Sequence, residues 1–494
     1  GLSEVRIEVS ADTESADGVP LGEAYTLSFQ VGGATPIAPR LSDLATTPLD
    51  CTNAWSAPPE FDEGLSTLGW TRQNLHSNVA WSVPVEAATR WINDRPQASG
   101  VRVRADEVPV AGRCFVDALR SESAAGVLSV QAAFGDPVLA FNALEVPSPS
   151  AGSYPEDEEL EFPVTSAVWG LFAREEAPFD AGLRAELEAL DAGLPASTAL
   201  ALADALHAIG EAVALKNAAF GERASEFEAL RTGVLTASYD RSTEWVVEPR
   251  APLAPLRQDR LLDAFEPGAL SRSAARLADA AQTLSDQLAQ LPPGLGEIAF
   301  DTPYGQVILH LEVENDAHEL ADDVALFVDA GGDDAYLGHV AATVVPRVSA
   351  SLVIDAGGND TYGPEFLEPA TGRVGRFDAL SPLYGFTQGF GLLGAAVLYD
   401  AGGDDVYRGS MMVQGAGFLG VGALIDRSGA DIYHSTFFAQ GAAQFGTGLL
   451  FDRLGDDQYT TFHNGQGVGR PRGQGLLLDA AGDDDYVAAY VRHE

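Results

Sequence analysis

From Leu2 to about Pro147 the apolar and polar positions alternate over short segments: VRIEV (Val5, Ile7, Val9), YTLSFQV, VRVRADEVPV and GVLSVQAAF, divided by Gly, Pro, Asp and Asn. Period two over such lengths predicts strands, and their number predicts an N-terminal β-sandwich-like domain over residues 1–147. The stretch SPSAGSYPEDEELEFP, residues 148–163, is rich in Pro, Ser and acid and has the composition of a linker. Beyond it the period lengthens. FDAGLRAELEALDAGL, ASTALALADALHAIGEAVALKNAAF, ERASEFEALRTGVL and ALSRSAARLADAAQTLSDQLAQL carry Ala and Leu at helical spacing, which predicts an α-helical middle region over 164–293.

From residue 300 to 494 a third pattern takes over, in which an apolar triplet runs into an acidic turn and the phrase recurs. LFVDAGGDDAY, LVIDAGGNDTY, VLYDAGGDDVY, ALIDRSGADIY, LLFDRLGDDQY and LLLDAAGDDDY are anchored on Asp329, Asp355, Asp400, Asp426, Asp452 and Asp479, at steps of 26, 45, 26, 26 and 27 residues. All six copies have Gly at +3, Asp at +5 and Tyr at +7 from the anchor, whereas +4 is Asp, Asn or Ala. The 45-residue step is one period plus an insertion near 363–385, because Gln388, Gln414, Gln440 and Gln466 keep the 26-residue spacing. A fixed period of this length with one turn per copy predicts a C-terminal parallel β-helix, or β-solenoid, of about six to seven 26-residue rungs. Gly at +3 is expected to supply a positive φ to the turn, and Tyr at +7 to open the next strand. A weaker copy precedes the others in VILHLEVENDAH, Val307 to His318.

Gly415, Gly417 and Gly420 spell GxGxxG. A dinucleotide fingerprint needs a strand before it and a helix after it, but GAGFLG leads directly into the strand ALID, and a near-copy, GFGLLG, stands one period earlier. The glycines therefore form a corner of a rung. The glutamines beside them predict an amide ladder.

Stacked rungs lie about 4.8 Å apart, so equivalent acids form columns. Two unit charges at that distance repel by roughly 0.9 kcal/mol in water and about 3.5 kcal/mol at an effective dielectric of 20. Hard cations that take carboxylate and turn-carbonyl oxygens would neutralise the columns. The candidate ligands are Asp329, Asp333 and Asp334; Asp355, Asn359 and Asp360; Asp400, Asp404 and Asp405; Asp426 and Asp431; Asp452, Asp456 and Asp457; and Asp479, Asp483 and Asp484. Several calcium ions are the implied cofactor. The alternative is a metal-free ladder in which the same side chains cap backbone N–H groups. The rung of Asp431, with Ala430 at +4, offers one carboxylate fewer and is expected to bind most weakly.

GGNDTY (Gly357 to Tyr362) and GGDDVY (Gly402 to Tyr407) resemble the G-x-D-x-hydrophobic turns of RTX-type nonapeptide repeats. The resemblance covers about a third of the chain. It implies calcium held between successive turns of a parallel β-roll in a secreted bacterial protein. The rung here is longer, carries one acidic turn where the family has two, and opens on Asp where the nonapeptide opens on Gly.

Composition narrows the partners. Asp and Glu total 72 against 29 Lys and Arg, a net charge of −43, which repels nucleic acid and anionic bilayers and favours divalent cations. Lys216 is the one lysine, a bias that fits codon usage or salt adaptation. No run of 18 apolar residues predicts a membrane span. Cys51 and Cys114 suit a disulfide in an exported protein, and the start at Gly1 suits removal of a signal peptide.

No catalytic constellation is present: Asp322 stands where the second histidine of HExxH would follow His318 and Glu319, and GxSxG and P-loop motifs are missing. The insertion supplies Arg373, Arg376 and Asp378 as loop candidates for binding. These features together predict an extracellular or cell-surface structural or adhesive protein. One alternative is a carbohydrate-active enzyme, a lyase or hydrolase, on the β-helix face. The other is a self-assembling filament subunit, with polysaccharide, other surface proteins or further copies as partners.

Overall fold

The structure, a computed structural model, describes residues 3–9, 25–31, 123–135, 162–235, 261–262, 265, 267–364, 385–462 and 464–488. Cys51, Cys114, the segment VRVRADEVPV, all but the end of the 148–163 linker, and Arg373, Arg376 and Asp378 lie outside these residues. Residues 1–48 form one unit, in which Ser3–Val9 pairs antiparallel with Tyr25–Val31, so two of the expected N-terminal strands are present. The remainder of the expected β-sandwich lies outside the described residues. Residues 49–494 form the second unit, which joins helices and solenoid in one body.

GVLSVQAAF is helical, within α1 (Ala124–Gly135), where alternation predicts a strand. Its first turn is capped by Ser123, whose Oγ accepts from the Gly126 N–H at 3.1 Å. Ala124, Ala125, Val127 and Leu128 are all buried, so the side-chain period of two in so short a run does not mark a half-exposed strand. The helical region follows as α2 (Pro163–Arg174), α3 (Ala181–Gly193), α4 (Ala196–Phe220), α5 (Ala224–Leu235) and α6 (Pro267–Leu288). Asp180 caps α3 through the Gly182 and Leu183 N–H groups, and the buried Asp191 of α3 accepts from the Val164 and Thr165 N–H groups at the start of α2. By length and composition Ala196–Leu235 is apolar enough to cross a membrane, but much of α4 is buried against α2 and α6.

The solenoid rises in register. Six anchoring strands, Val324–Asp329, Ala350–Asp355, Ala395–Asp400, Val421–Asp426, Thr447–Asp452 and Gln474–Asp479, lie side by side and parallel in an eight-stranded sheet, with each anchoring Asp opposite the next. The tyrosine strands form a second, seven-stranded sheet, and two smaller sheets complete the rung. The weak first copy is real: Gly305–His310 and Ala317–Leu320 pair parallel with the first full rung, and Glu297–Thr302 closes that end antiparallel. The insertion leaves the stack undisturbed, since Ala350–Asp355 pairs directly with Ala395–Asp400 across the 45-residue step.

Both faces of the main sheet are covered. Phe327, Val353, Leu398, Leu424 and Leu450 point to the tyrosine column inside the solenoid, while their neighbours Val328, Ile354, Tyr399, Ile425 and Phe451 belong to the core shared with the helices. Burial on two sides explains why these strands are continuously apolar. Polar ties cross the seam: Arg231 of α5, itself held by Glu228, donates to the Thr343 and Leu392 carbonyls at 2.6 and 3.2 Å, and Ser271 of α6 meets Thr447 at 2.9 Å.

The glycine at +3 has the expected positive φ in three of the six copies, and a second reason extends to the rest. Gly332, Gly358 and Gly403 have φ near 155°, but Gly429, Gly455 and Gly482 do not share a positive φ. What the later five have in common is that a Cβ would overlap the carbonyl oxygen of the preceding rung's +3 glycine. Gly403→Ala should therefore destabilise the protein by about 2–4 kcal/mol, read as a lowered midpoint of chemical denaturation. A change below about 0.5 kcal/mol would show that the rungs are free to separate there.

Candidate metal centre in the acidic turns

Each anchoring Asp ends an apolar strand with its side chain turned inside. Asp329, Asp355, Asp400, Asp426 and Asp452 are fully buried, and so are Tyr336, Tyr362, Tyr407, Tyr433 and Tyr459. The tyrosine rings stack one per rung, 4.6–4.9 Å apart and nearly parallel. Each Asp Oδ1 in the first four rungs accepts the backbone N–H two residues on. Oδ2 faces the phenols. Tyr362 Oη lies 3.4 Å from Asp355 and 2.7 Å from Asp400, and Tyr407 Oη lies 3.0 Å from Asp400 and 2.7 Å from Asp426. Tyr336 bridges Asp329 and Asp355 in the same way.

The acids at +4 and +5 part company. Asp333, Asn359, Asp404, Asp456 and Asp483 are exposed. They form an outer hydrogen-bond ladder in which the Asn359, Asp404, Ala430 and Asp483 N–H groups donate to the +4 side chain of the rung before. That is the metal-free role. The +5 residues Asp334, Asp360, Asp405, Asp431 and Asp457 are buried. From Asp360 to Asp457, Oδ1 accepts the N–H of the +5 residue one rung earlier, at 2.6–2.8 Å. Their Oδ2 atoms, and that of Asp334, have no hydrogen-bond partner.

The arrangement therefore brings together Asp334, Asp355 and Asp360; Asp360, Asp400 and Asp405; Asp405, Asp426 and Asp431; and Asp431, Asp452 and Asp457, each with ligand oxygens within 4.8 Å of one another. The +4 residues are outside these groups, so Ala430 removes nothing from the rung of Asp431. Asp479 and Asp484 end the column at a rung that is only partly buried. An orphaned, buried carboxylate oxygen repeated in every group fits a hard cation that takes six to eight oxygens, with turn carbonyls and water completing the shell. The clustered atoms also fit protons. A phenol has one hydrogen to donate, so each Tyr in contact with two carboxyl groups is satisfied only if one of them keeps its own proton.

Burial dominates the titration of the column, and repulsion between neighbours adds to it. Asp360 and Asp431 are pushed up to about 8, Asp452 to about 8, Asp405 to about 10 and Asp457 to about 6. Asp355, Asp400 and Asp426 are raised for the same first reason. Without a cation the column takes up protons at neutral pH.

The glutamines do not pair with one another as an amide ladder would. Gln414 Nε2 donates to the Tyr407 and His434 carbonyls, both at 3.0 Å, and Gln388 and Gln440 repeat the bridge between consecutive rungs. These three and Gln466 sit at φ of 51–54°, a corner conformation that the amide bridge supports in the three.

The first, partial rung departs from the rest. His310 stands in register with Asp329 and His318 with Tyr336, so two histidines occupy the anchor and tyrosine positions. Both lie in the weak first copy that the sequence shows, but His310 is 19 residues before Asp329, off the 26-residue period, so the spacing alone does not mark them as the equivalents of an anchor and a tyrosine. Burial would depress His318, but the neighbouring Asp329, Asp334 and Asp316 outweigh it and raise its pKa. Comparison with protein-family models, curated proteins and solved structures returns no match.

The sign of the pH dependence follows from the raised acids. A carboxyl whose folded pKa lies above its unfolded value of about 3.9 binds extra protons in the native state, so its contribution is complete below that pH and is lost as pH rises through the folded pKa. In chelator the melting temperature should fall as pH rises from about 4 to 9, by at least about 5 °C, and Asp405→Asn should flatten the fall. Thermal scans across that range check it, and a melting temperature that rises towards pH 8 in chelator would contradict it.

Proposed function

We propose that this chain is an exported structural or adhesive protein whose solenoid is stabilised by calcium ions held in the buried acidic turns. The observation that carries the proposal is the unpartnered Oδ2 of the +5 aspartate, repeated from Asp334 to Asp457 and grouped each time with an anchoring Asp. The likeness to RTX-type turns supports calcium over other dications and supports an extracellular setting, where calcium is abundant enough to occupy weak sites. The surplus of acid supports cations as partners. Self-association fits the same role: the strands Gln474–Asp479 and Asp485–Ala488 end their sheets with no further strand beside them among the described residues, and Tyr486 and Val487 are about half exposed.

A second reading is favoured by the tyrosine bridges. In it, protons alone neutralise the column, and the Asp–Tyr chain is a structural hydrogen-bond ladder with the same mechanical role.

Calcium decides between them. If the ions bind, millimolar calcium should raise the melting temperature at pH 7.5 by at least about 5 °C over chelator, as expected when ligand exceeds Kd a hundredfold. Asp405→Asn, which alters two adjoining groups, should cut that rise, while the outward-facing Asp404→Asn should leave it intact. Equal melting temperatures, with no calcium retained by elemental analysis, would leave the protonated ladder.

A further inference from the structure

We propose that His310, His318 and Asp329 form a separate site for a borderline transition dication such as zinc, built into the first rung at the N-terminal end of the carboxylate column. Every later rung presents oxygen only. Here two imidazoles replace the anchor carboxylate and the phenol, in register with Asp329 and Tyr336, so the change of donor is confined to one level of the stack. Two imidazole nitrogens and a carboxylate are the donor set of zinc and its neighbours, whereas calcium takes oxygen.

The three ligand atoms lie within 4.8 Å of one another. His310 is 8% exposed and Asp329 fully buried, yet neither ring nitrogen of His310 makes a well-aligned hydrogen bond, while His318 Nε2 is paired with Asp329. Carboxylates surround both rings. Asp329 Oδ2 is 2.9 Å from His318 Nε2, Asp316 Oδ2 is 3.2 Å from His310 Nε2, and Glu297 Oε2 is 3.6 Å from His310 Nδ1. Asp316, partly exposed, is in place to serve as a fourth ligand or to yield to water.

The rings are held before any metal arrives. His318 stacks on Tyr336 at 5.2 Å and meets Phe327 edge-on at 5.0 Å, and the two imidazoles lie 5.1 Å apart. Asp329 is oriented by the Gly331 N–H at 3.0 Å, and its Oδ2 also meets the Tyr336 hydroxyl. Such outer contacts fix ligand direction and raise affinity. The antiparallel strand Glu297–Thr302 covers this end of the sheet, so an ion here would fasten the partial rung to the first full one.

Cobalt(II) is the probe, used on the full chain purified in chelator and then transferred to chelator-free buffer. The expected result is one equivalent of Co2+ giving the visible d–d absorption of a low-symmetry four-coordinate site, displaced by Zn2+ and unaffected by millimolar Ca2+. The double substitution His310→Asp, His318→Tyr writes the repeat's own residues into the first rung. It should abolish the cobalt band while leaving intact whatever response to calcium the parent protein shows. Should the double variant fail to fold, His318→Tyr alone, which keeps an aromatic ring on Tyr336, should abolish the band. Absence of a cobalt band in the parent protein, or an unchanged band in the folded variant, would overturn the site. Neither result bears on calcium, so the two sites succeed or fail independently.

Discussion

The structure depends on parallel strands stacking in exact register with an acid at the end of each. One strand spacing separates each anchoring aspartate from the next, and the interior of the solenoid removes the water that would screen them. A bare column of charge in that position would push the rungs apart. Most of what is peculiar about the repeat answers this constraint. The tyrosine at +7 reaches across the interior, in the first three full rungs to two anchors at once, the +5 aspartate ties its rung to the one before through Oδ1, and the +3 glycine lets the turn backbones come close enough for both. Protons or cations then complete the neutralisation, and the orphaned Oδ2 atoms mark where the two compete.

The same register determines how the remainder of the chain is used. A sheet of parallel strands must be covered on both faces, and the solenoid covers only the inner one. The alanine-rich helices cover the outer one, with α6 laid along the anchoring strands and Arg231 and Ser271 supplying polar ties to the solenoid. Helices and solenoid differ in sequence period but share one hydrophobic core, so the change of period near residue 295 marks a change of element and not a break between folding units.

The repeat, its period, the insertion that leaves it in phase and the partial first copy were all legible in the sequence, because in-register stacking forces the same residue type into the same place on every rung. The wider grouping of +4 with +5 was not. Adjacent letters in a turn point to opposite sides of the backbone, and Asp404 reaches solvent while Asp405 is buried. Segment GVLSVQAAF shows the converse error: a short apolar run has no period of its own strong enough to choose between strand and helix, and Ser123 together with the packing of α1 on α6 decided it. The glutamines were recognisable as structural, but their partners proved to be main-chain carbonyls, since a left-handed corner turns the amide towards the backbone of two rungs.

The sequence by itself determined the solenoid and its columns, since a strict spacing of apolar, acidic, glycine and tyrosine positions leaves one way to stack them. Only the tertiary structure decided which acids face inward, that the helices and the solenoid are one body, and that His310 and His318 meet over Asp329. Those outcomes depend on side-chain direction and on contacts between residues far apart in the chain, and neither is carried by a local pattern of letters.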